Sequence, residues 1–477
     1  MANGFSGQNK GFYGDDAPIA ACATALSETA LSLIRVSGKG SVELLAGIFS
    51  RPAALIGAAG NTIVHGWIVE QGKRIDEVLI GVYRAPKSYT GEDGLDITCH
   101  GGFTAGRAVL QTLQRHGFRE ALPGEFSFRA FYNAKIDLTR AEAVMEIVSA
   151  KSDAARGRAV MRLSGVLERE IRQIRDLLMD SLTEIELLLD YSELDGVTSE
   201  DEAMPGRASV EKALERLRGL ERTYQAEKLY RDGALAVIAG KPNAGKSSLF
   251  NLLLREERAI ISEFPGTTRD WIEGWISIEG IPIRLVDTAG LRESSDAVEK
   301  LGIERSFSLI EDADLIILVL DGTENPGIPN DISPFYDSMF KEWGNFDTGR
   351  IKAPVLTVWN KSDLAPPPEK GGGVCPLSAK TGEGLDVLYR NIAGILAKTA
   401  GQPSGTGAAP GSARQKALID AAIDGVENAL ALHKDGLSAD LIASCLRASV
   451  DSLGEITGEV SNANILEAMF SRFCVGK

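Results

Sequence analysis

Between residues 234 and 248 the chain reads ALAVIAGKPNAGKSS, and no other stretch restricts its folding so tightly. ALAVIAG has the texture of a strand buried on both faces. It runs directly into residues 240–248, which match G-x-x-x-x-G-K-[ST] and predict the opening of a helix. Glycines there let successive backbone N–H groups converge on phosphate oxygens at the helix N-terminus. In that loop Asn243, Ala244 and Gly245 wrap the phosphates with Ser248, Lys246 reaches the β- and γ-phosphates, and the Ser247 hydroxyl ligates Mg²⁺. A strand, a phosphate loop and a helix in immediate succession commit this part of the chain to an α/β layer architecture.

Four further elements follow in order. GTTRD (residues 266–270) lies at the distance of a first switch, where Thr268 can close over Mg²⁺ and the γ-phosphate. DTAG (residues 287–290) ends a predicted strand, with Asp287 near the metal, Thr288 and Ala289 next, and the Gly290 amide near the γ-phosphate. NKSD supplies Asn360, Lys361 and Asp363, and SAK supplies Ser378, Ala379 and Lys380. The Asp363 carboxylate can accept from the N1–H and 2-amino group of guanine; adenine lacks that donor pair and would leave the acid unpaired. These five elements together resemble a Ras-like GTPase domain, and the chain is expected to bind GTP. Leu291 stands where Ras-type switches carry a water-orienting glutamine, so that role falls to another group. Glu293 and Glu299 are the nearby candidates, and solvated surface charge is the alternative for each.

The strands DLIILVLDGT and APVLTVWNKSD alternate with helical segments, predicting a mostly parallel, doubly wound sheet over residues 231–398. Ahead of it, LSLIRVSG, NTIVHGWIV, DEVLIGVYRAP and LDITCHGG, with a helix near 103–116, predict an α+β domain over residues 1–133. Residues 134–230 read as helical. Leu163, Leu167, Ile171, Ile174, Leu178, Leu182 and Ile185 recur at helical steps and put one apolar stripe on a single long helix. After the linker GQPSGTGAAPGSARQ, helical texture resumes over residues 399–477. The predicted fold class is multidomain α+β and α/β: an N-terminal α+β domain and a helical domain in two halves, with the P-loop domain inserted between them.

The five cysteines are scattered and form no CxxC pair, which suggests neither a disulfide framework nor a zinc site and fits a reducing cytosol. The polar start, MANGFSGQNKGFYGDDAPIA, lacks a basic segment leading into an apolar one, and no apolar run approaches a membrane span. The expectation is a cytoplasmic protein with no membrane partner. A net charge of −15 argues against a general nucleic-acid surface, so such a partner needs a local basic patch or a second protein.

SYTGEDGLDITCHGG, LPGEFSFRAFYNAKIDLTRAEAV and the terminal FCVGK, added to the five nucleotide elements, make the whole chain from about residue 17 resemble the tRNA-modification GTPase family called MnmE or TrmE. The resemblance implies an N-terminal folate-binding domain, a helical domain and an inserted G domain in a homodimer. It also implies an FAD-dependent partner of the MnmG or GidA type, with which the family installs an aminomethyl-type group at carbon 5 of the wobble uridine of certain tRNAs. The one-carbon donor is a 5-formyl- or 5,10-methylene-tetrahydrofolate, contacted by residues matching Arg35, Glu92, Lys135 and Lys477. The resemblance further implies K⁺ held by Asn243, by Thr267 and by backbone carbonyls near Ser262 and Phe264, the last two in a stretch with Glu263, Pro265 and Gly266 that also borders the nucleotide. It assigns the water-orienting glutamate to Glu299 and makes Cys474 a participant in the uridine chemistry.

Two features depart from the family pattern. A Pro- and Gly-rich loop is replaced by TALSETALSLIRVSG, and EVSNANILEAMF lacks the usual acidic residues. Cys99 and His100, adjacent on a strand, point to opposite faces and read as structural. Ile465, Leu466, Met469, Phe470 and Phe473 share a helical face that would anchor the last helix beside Cys474. A ribosome-assembly switch, and a scaffold that supplies only conformational drive, are the other functions open at this point.

Overall fold

The computed structural model describes residues 16–195, 204–256, 273–287, 308–324, 351–367, 374–401, 407–460 and 463–476. These residues divide into two units. One comprises residues 1–145, 168–210 and 424–477, and the other residues 146–167 and 211–423.

The first unit carries a six-stranded sheet made of β1 (Ile19–Cys22), β2 (Leu31–Ser37), β3 (Thr62–Glu70), β4 (Lys73–Tyr83), β5 (Gly94–His100) and β6 (Arg119–Glu120). Their order is β3-β4-β5-β2-β1-β6, antiparallel except for β1 with β6. Alternation decides the faces: Ile34 and Val36 of β2 are buried, while Leu33 and Arg35, alternating with them, turn to the other side. Helices α1 (Ser41–Ala46), α2 (Pro52–Ile56) and α3 (Phe103–Arg115) accompany this sheet. Val109 and Leu113 of α3 join Leu45, Leu95 and Ile97 in one apolar core. Strands β1 and β6 and helices α1 and α2 were not expected, being too short for their periodicity to be read. The segment that replaces the Pro- and Gly-rich loop packs closely: Leu33 N–H donates to Thr24 Oγ1 at 3.0 Å and Gly101 N–H to the Ala30 carbonyl. A Cβ on Gly101 would lie 1.8 Å from the Thr29 carbonyl oxygen.

Helices α4 (Glu125–Tyr132), α5 (Leu138–Ser149), α6 (Asp153–Leu163), α7 (Val166–Asp195) and α8 (Arg207–Asp232) follow. The long apolar stripe is observed from Leu167 to Ile185, all six residues nearly fully buried. Leu163 does not belong to it. Ser164 and Gly165, the latter at φ +79°, end α6 and restart the chain as α7, so the expected single helix is two. Ser152 begins α6: its hydroxyl accepts from Ala155 N–H at 3.1 Å and donates to the Gly280 carbonyl at 2.9 Å.

The second unit holds the other sheet, of β7 (Ala234–Gly240), β8 (Glu273–Ile278), β9 (Ile281–Asp287), β10 (Leu315–Asp321), β11 (Val355–Asn360) and β12 (Val374–Pro376), with α9 (Lys246–Glu256) and α10 (Leu385–Ala400). Its order is β12-β11-β10-β7-β9-β8, parallel throughout except for the β8–β9 hairpin. Every residue of β10 is buried, as a strand covered on both faces requires. Later come α11 (Ala413–Lys434), α12 (Ala439–Thr457) and α13 (Ala463–Phe470). No helix among the described residues is long and apolar enough to cross a membrane.

Candidate functional site

The carboxyl ends of β7, β9, β10 and β11 point the same way, and open parallel sheets bind ligands at that edge. The phosphate loop leaves β7 there. Gly240 has no room for a side chain: a Cβ would sit 2.4 Å from the Val319 carbonyl oxygen of the neighbouring strand. Asn243 adopts φ +62° and Gly245 φ +95°, the left-handed turns that aim a loop's N–H groups inward. Lys246 is buried, its Nζ donating to the Lys241 carbonyl at 2.8 Å across the loop.

Ser247 and Asp287 meet at the metal position, the serine Oγ donating to Asp287 Oδ2 at 2.7 Å. Asp287 is fully buried at the end of β9. A hydroxyl and a carboxylate oxygen are the hard donors that suit Mg²⁺, which takes one or two protein ligands and completes its shell with phosphate and water. Among the described residues no group of three or more His, Cys, Asp or Glu side chains forms a cage for a different metal.

Asn360 ties the loop to the base-recognition side. Its Nδ2 donates to the Ala244 carbonyl at 2.7 Å, and its Oδ1 accepts from Ala379 N–H at 3.0 Å. One buried amide therefore holds the NKSD, SAK and phosphate-loop segments together. Asp363 and Lys380 are exposed at the mouth, and Ser378 is buried, accepting from Thr381 N–H at 3.2 Å.

Asp321, at the end of β10, escaped the sequence reading. It accepts from Lys361 Nζ at 2.5 Å and from both the hydroxyl and N–H of Thr323. Burial raises the Asp321 pKa, but the bond from Lys361 and the two from Thr323 outweigh it and hold the acid below its ordinary value. Its signal was available: it closes DLIILVLDGT at the same sheet edge as Asp287.

The first unit collects a second set. Arg35 Nε donates to Asp96 at 3.1 Å and Nη1 to the Gly476 carbonyl at 3.4 Å. Ser37, two residues on and on the same face, donates to Glu92 Oε2 at 2.8 Å. Lys135 runs past Gly91, where a Cβ would meet its Cγ at 3.3 Å, and its Nζ donates to the Pro86 carbonyl at 2.9 Å. Arg35, Glu92, Lys135 and the chain's last described residues are thus gathered beside β2.

Leu466, Phe470 and Phe473 fix the tail against Phe128, Phe131 and Leu138, with Phe470 edge-on to Phe128 at 5.6 Å between ring centroids. Met469 is partly buried beside them, but Ile465, expected on the same face, is exposed. Gly124 N–H donates to the Cys474 carbonyl at 3.4 Å, and the Cys474 side chain is exposed. Cys99 is buried, its thiol pushed up to about 11 by burial, while His100 on the opposite face bonds Asp76 at 2.7 Å.

Comparison with known proteins bears on both sites. A profile described as GTP-binding protein TrmE N-terminus matches residues 18–135, and one described as MnmE helical domain matches residues 138–474. The tRNA modification GTPase MnmE of Treponema denticola is 42% identical over 481 residues, which is 98% of this chain and 99% of that protein. Its counterpart in Symbiobacterium thermophilum is 39% identical over 472 residues, covering 96% and 99%.

The chain belongs to the MnmE/TrmE family.

Membership makes this MnmE-family chain a GTPase of tRNA modification and weighs against a ribosome-assembly switch. Ser262, Glu263, Phe264, Pro265, Gly266, Thr267, Thr268, Thr288, Ala289, Gly290, Glu299 and Lys477 lie outside the described residues. Two residues bonded into the group around Glu92 went unread in the sequence: Arg129, which donates to Glu92, and Glu125, which accepts from Arg129, both buried.

Proposed function

We propose that this chain hydrolyses GTP to drive formation of a 5-carboxymethylaminomethyl-type group on the wobble uridine of certain tRNAs, in the cytoplasm. It would work as a homodimer with an FAD-dependent partner of the MnmG or GidA type, the flavin residing on that partner. The observation that carries this reading is the second site: Arg35 bonds the carbonyl of Gly476 beside Cys474, with Glu92 and Lys135 on the neighbouring segments. A GTPase used only as a switch has no need of such a gathering.

On the nucleotide side, Lys246 and the loop N–H groups bind the phosphates, and Asp363 accepts from guanine. Ser247 and Thr268 would hold Mg²⁺, and Asn243, Thr267 and the carbonyls near Ser262 and Phe264 would hold K⁺. Such a cation would supply positive charge to offset the charge that develops as GTP is hydrolysed. Glu299 orients the attacking water in place of the glutamine that Leu291 cannot supply. At the second site Arg35, Glu92, Lys135 and Lys477 would hold a tetrahydrofolate derivative that supplies the one-carbon unit, with Cys474 in the same tail.

The test is mass-spectrometric nucleoside analysis of tRNA from cells whose only copy carries Cys474→Ser, with GTP hydrolysis in K⁺ and in Na⁺ measured alongside. Loss of the modified uridine with K⁺-stimulated hydrolysis intact is expected. Wild-type levels of the modified uridine would remove Cys474 from the chemistry and favour the scaffold reading.

A further inference from the structure

Glu92 is half-exposed and shows an asymmetry. Both side-chain bonds it makes fall on one oxygen, Oε2, from Ser37 Oγ at 2.8 Å and Arg129 Nη1 at 3.1 Å. Oε1 accepts no bond among the described residues. A carboxylate on a turn has a freely rotating χ3 and would sample both oxygens unless something held it.

What holds it is a buried chain of charge. Arg129 is 6% exposed and Glu125 is not exposed at all. Arg129 donates to Glu125 Oε1 from Nη2 at 2.9 Å and from Nε at 3.3 Å, one helical turn away on α4. Its Nη2 also donates to the Ala17 carbonyl at 3.0 Å. Glu125 is clamped from the other side by Arg119, whose Nη2 and Nη1 reach its two oxygens at 2.5 and 3.0 Å, and by Leu122 N–H at 2.9 Å. Burial raises the Glu125 pKa, yet the bonds from Arg119, Leu122 N–H and Arg129 outweigh it and keep the acid below its usual range. A guanidinium fixed at several donors presents its remaining N–H in one direction only.

We propose that Arg129, anchored by Glu125, is a positioning residue that fixes the Glu92 carboxylate with Oε1 turned toward a ring N–H of the bound tetrahydrofolate. The inference rests on the proposed folate reading of Glu92. Arg129 itself makes no contact with the ligand. Ser37 secures the same oxygen from the sheet side and is held in turn by Thr90, 2.6 Å away.

The experiment is isothermal titration of 5-formyltetrahydrofolate into the purified full-length protein. Glu92→Gln comes first; Ser37 and Arg129 both donate and so hold the amide oxygen, which turns the NH2 rather than an acceptor toward the ligand, and binding weakens. If the wild type does not bind, or Glu92→Gln binds as tightly as the wild type, the folate reading of Glu92 fails and the positioning role falls with it. With that reading intact, Arg129→Lys and Glu125→Gln each weaken binding about tenfold in the wild-type background. In the Glu92→Gln background neither changes it further, because the charged group they orient is gone. A merely structural role lowers affinity equally in both backgrounds, and that result overturns the proposal, as does undiminished binding by Arg129→Lys in the wild-type background. Should a variant at the buried pair fail to fold, Ser37→Ala removes the other bond on Oε2 without disturbing buried charge. It is then expected to weaken binding about threefold in the wild-type background only, and the same loss in both backgrounds overturns the proposal.

Discussion

Asp363 stands exposed at the mouth of the nucleotide crevice, while the neighbouring Asn360 is buried and spends both ends of its amide on backbone groups. That difference separates recognition from construction. Asp363→Asn reverses the donor–acceptor pattern offered to the base, so preference is expected to pass from GTP to xanthosine triphosphate, by about a hundredfold or more in relative affinity. Competition binding with the two nucleotides checks it, and an unchanged preference for GTP would remove Asp363 from base recognition. Asp321 makes a prediction in pH. Its folded pKa lies below the ordinary 3.8, so its contribution to stability is full above that value and is lost as pH falls through the lower, folded one. The melting temperatures of wild type and Asp321→Asn should differ at pH 6, begin to approach each other only below the ordinary 3.8, and converge once pH is below the lowered folded value.

Among the elements, α7 and the tail show what a sequence can reveal of packing. Ile174 is fully buried on the α7 stripe, and Ile174→Ala is expected to cost about 2–5 kcal/mol. Met179 is exposed, and Met179→Ala should stay within about 0.5 kcal/mol, both read by denaturant unfolding. The tail depends on one glycine. Gly124 caps α4 at φ +71°, and a Cβ there would lie 2.3 Å from the Phe470 carbonyl oxygen. Gly124→Ala should destabilise the first unit by about 1–3 kcal/mol and speed tryptic cleavage after Arg472; unchanged cleavage would mean the tail is held elsewhere.

The stripe from Leu167 to Ile185 was legible because a helix repeats its burial every three to four residues. The break at Gly165 was not, because one glycine within a helical pattern is compatible with continuation. Ile465 fell on the apolar face by spacing, yet which part of that face meets a partner surface is decided by tertiary packing alone. The phosphate loop was legible for a different reason: its φ angles and close backbone approaches admit few residues, so geometry is written directly in glycines. The bond from Arg129 to Glu92, between residues 37 positions apart, has no periodicity to announce it.

At the scale of the molecule, the nucleotide residues fall in one unit and the Arg35–Glu92–Lys135 group in the other. Chains with several such units seldom unfold in one step. Calorimetry is expected to show two transitions. GTP with Mg²⁺ at a hundred times its dissociation constant raises one by about 2.7 kcal/mol, and 5-formyltetrahydrofolate raises the other. A single transition shifted equally by both ligands would contradict this.

The hydrogen bond from Arg35 to the Gly476 carbonyl joins residues 441 positions apart. Chains are synthesised at about 5–20 residues per second, so the carbonyl leaves the ribosome roughly 20–90 seconds after the guanidinium it meets. Within that interval all the segments of the nucleotide-binding unit, which end at Ile423, are made. That unit is synthesised about 3–10 seconds before the Gly476 carbonyl that Arg35 meets. The nucleotide-binding unit is therefore complete in sequence before the group around Arg35 can gain its contact to Gly476.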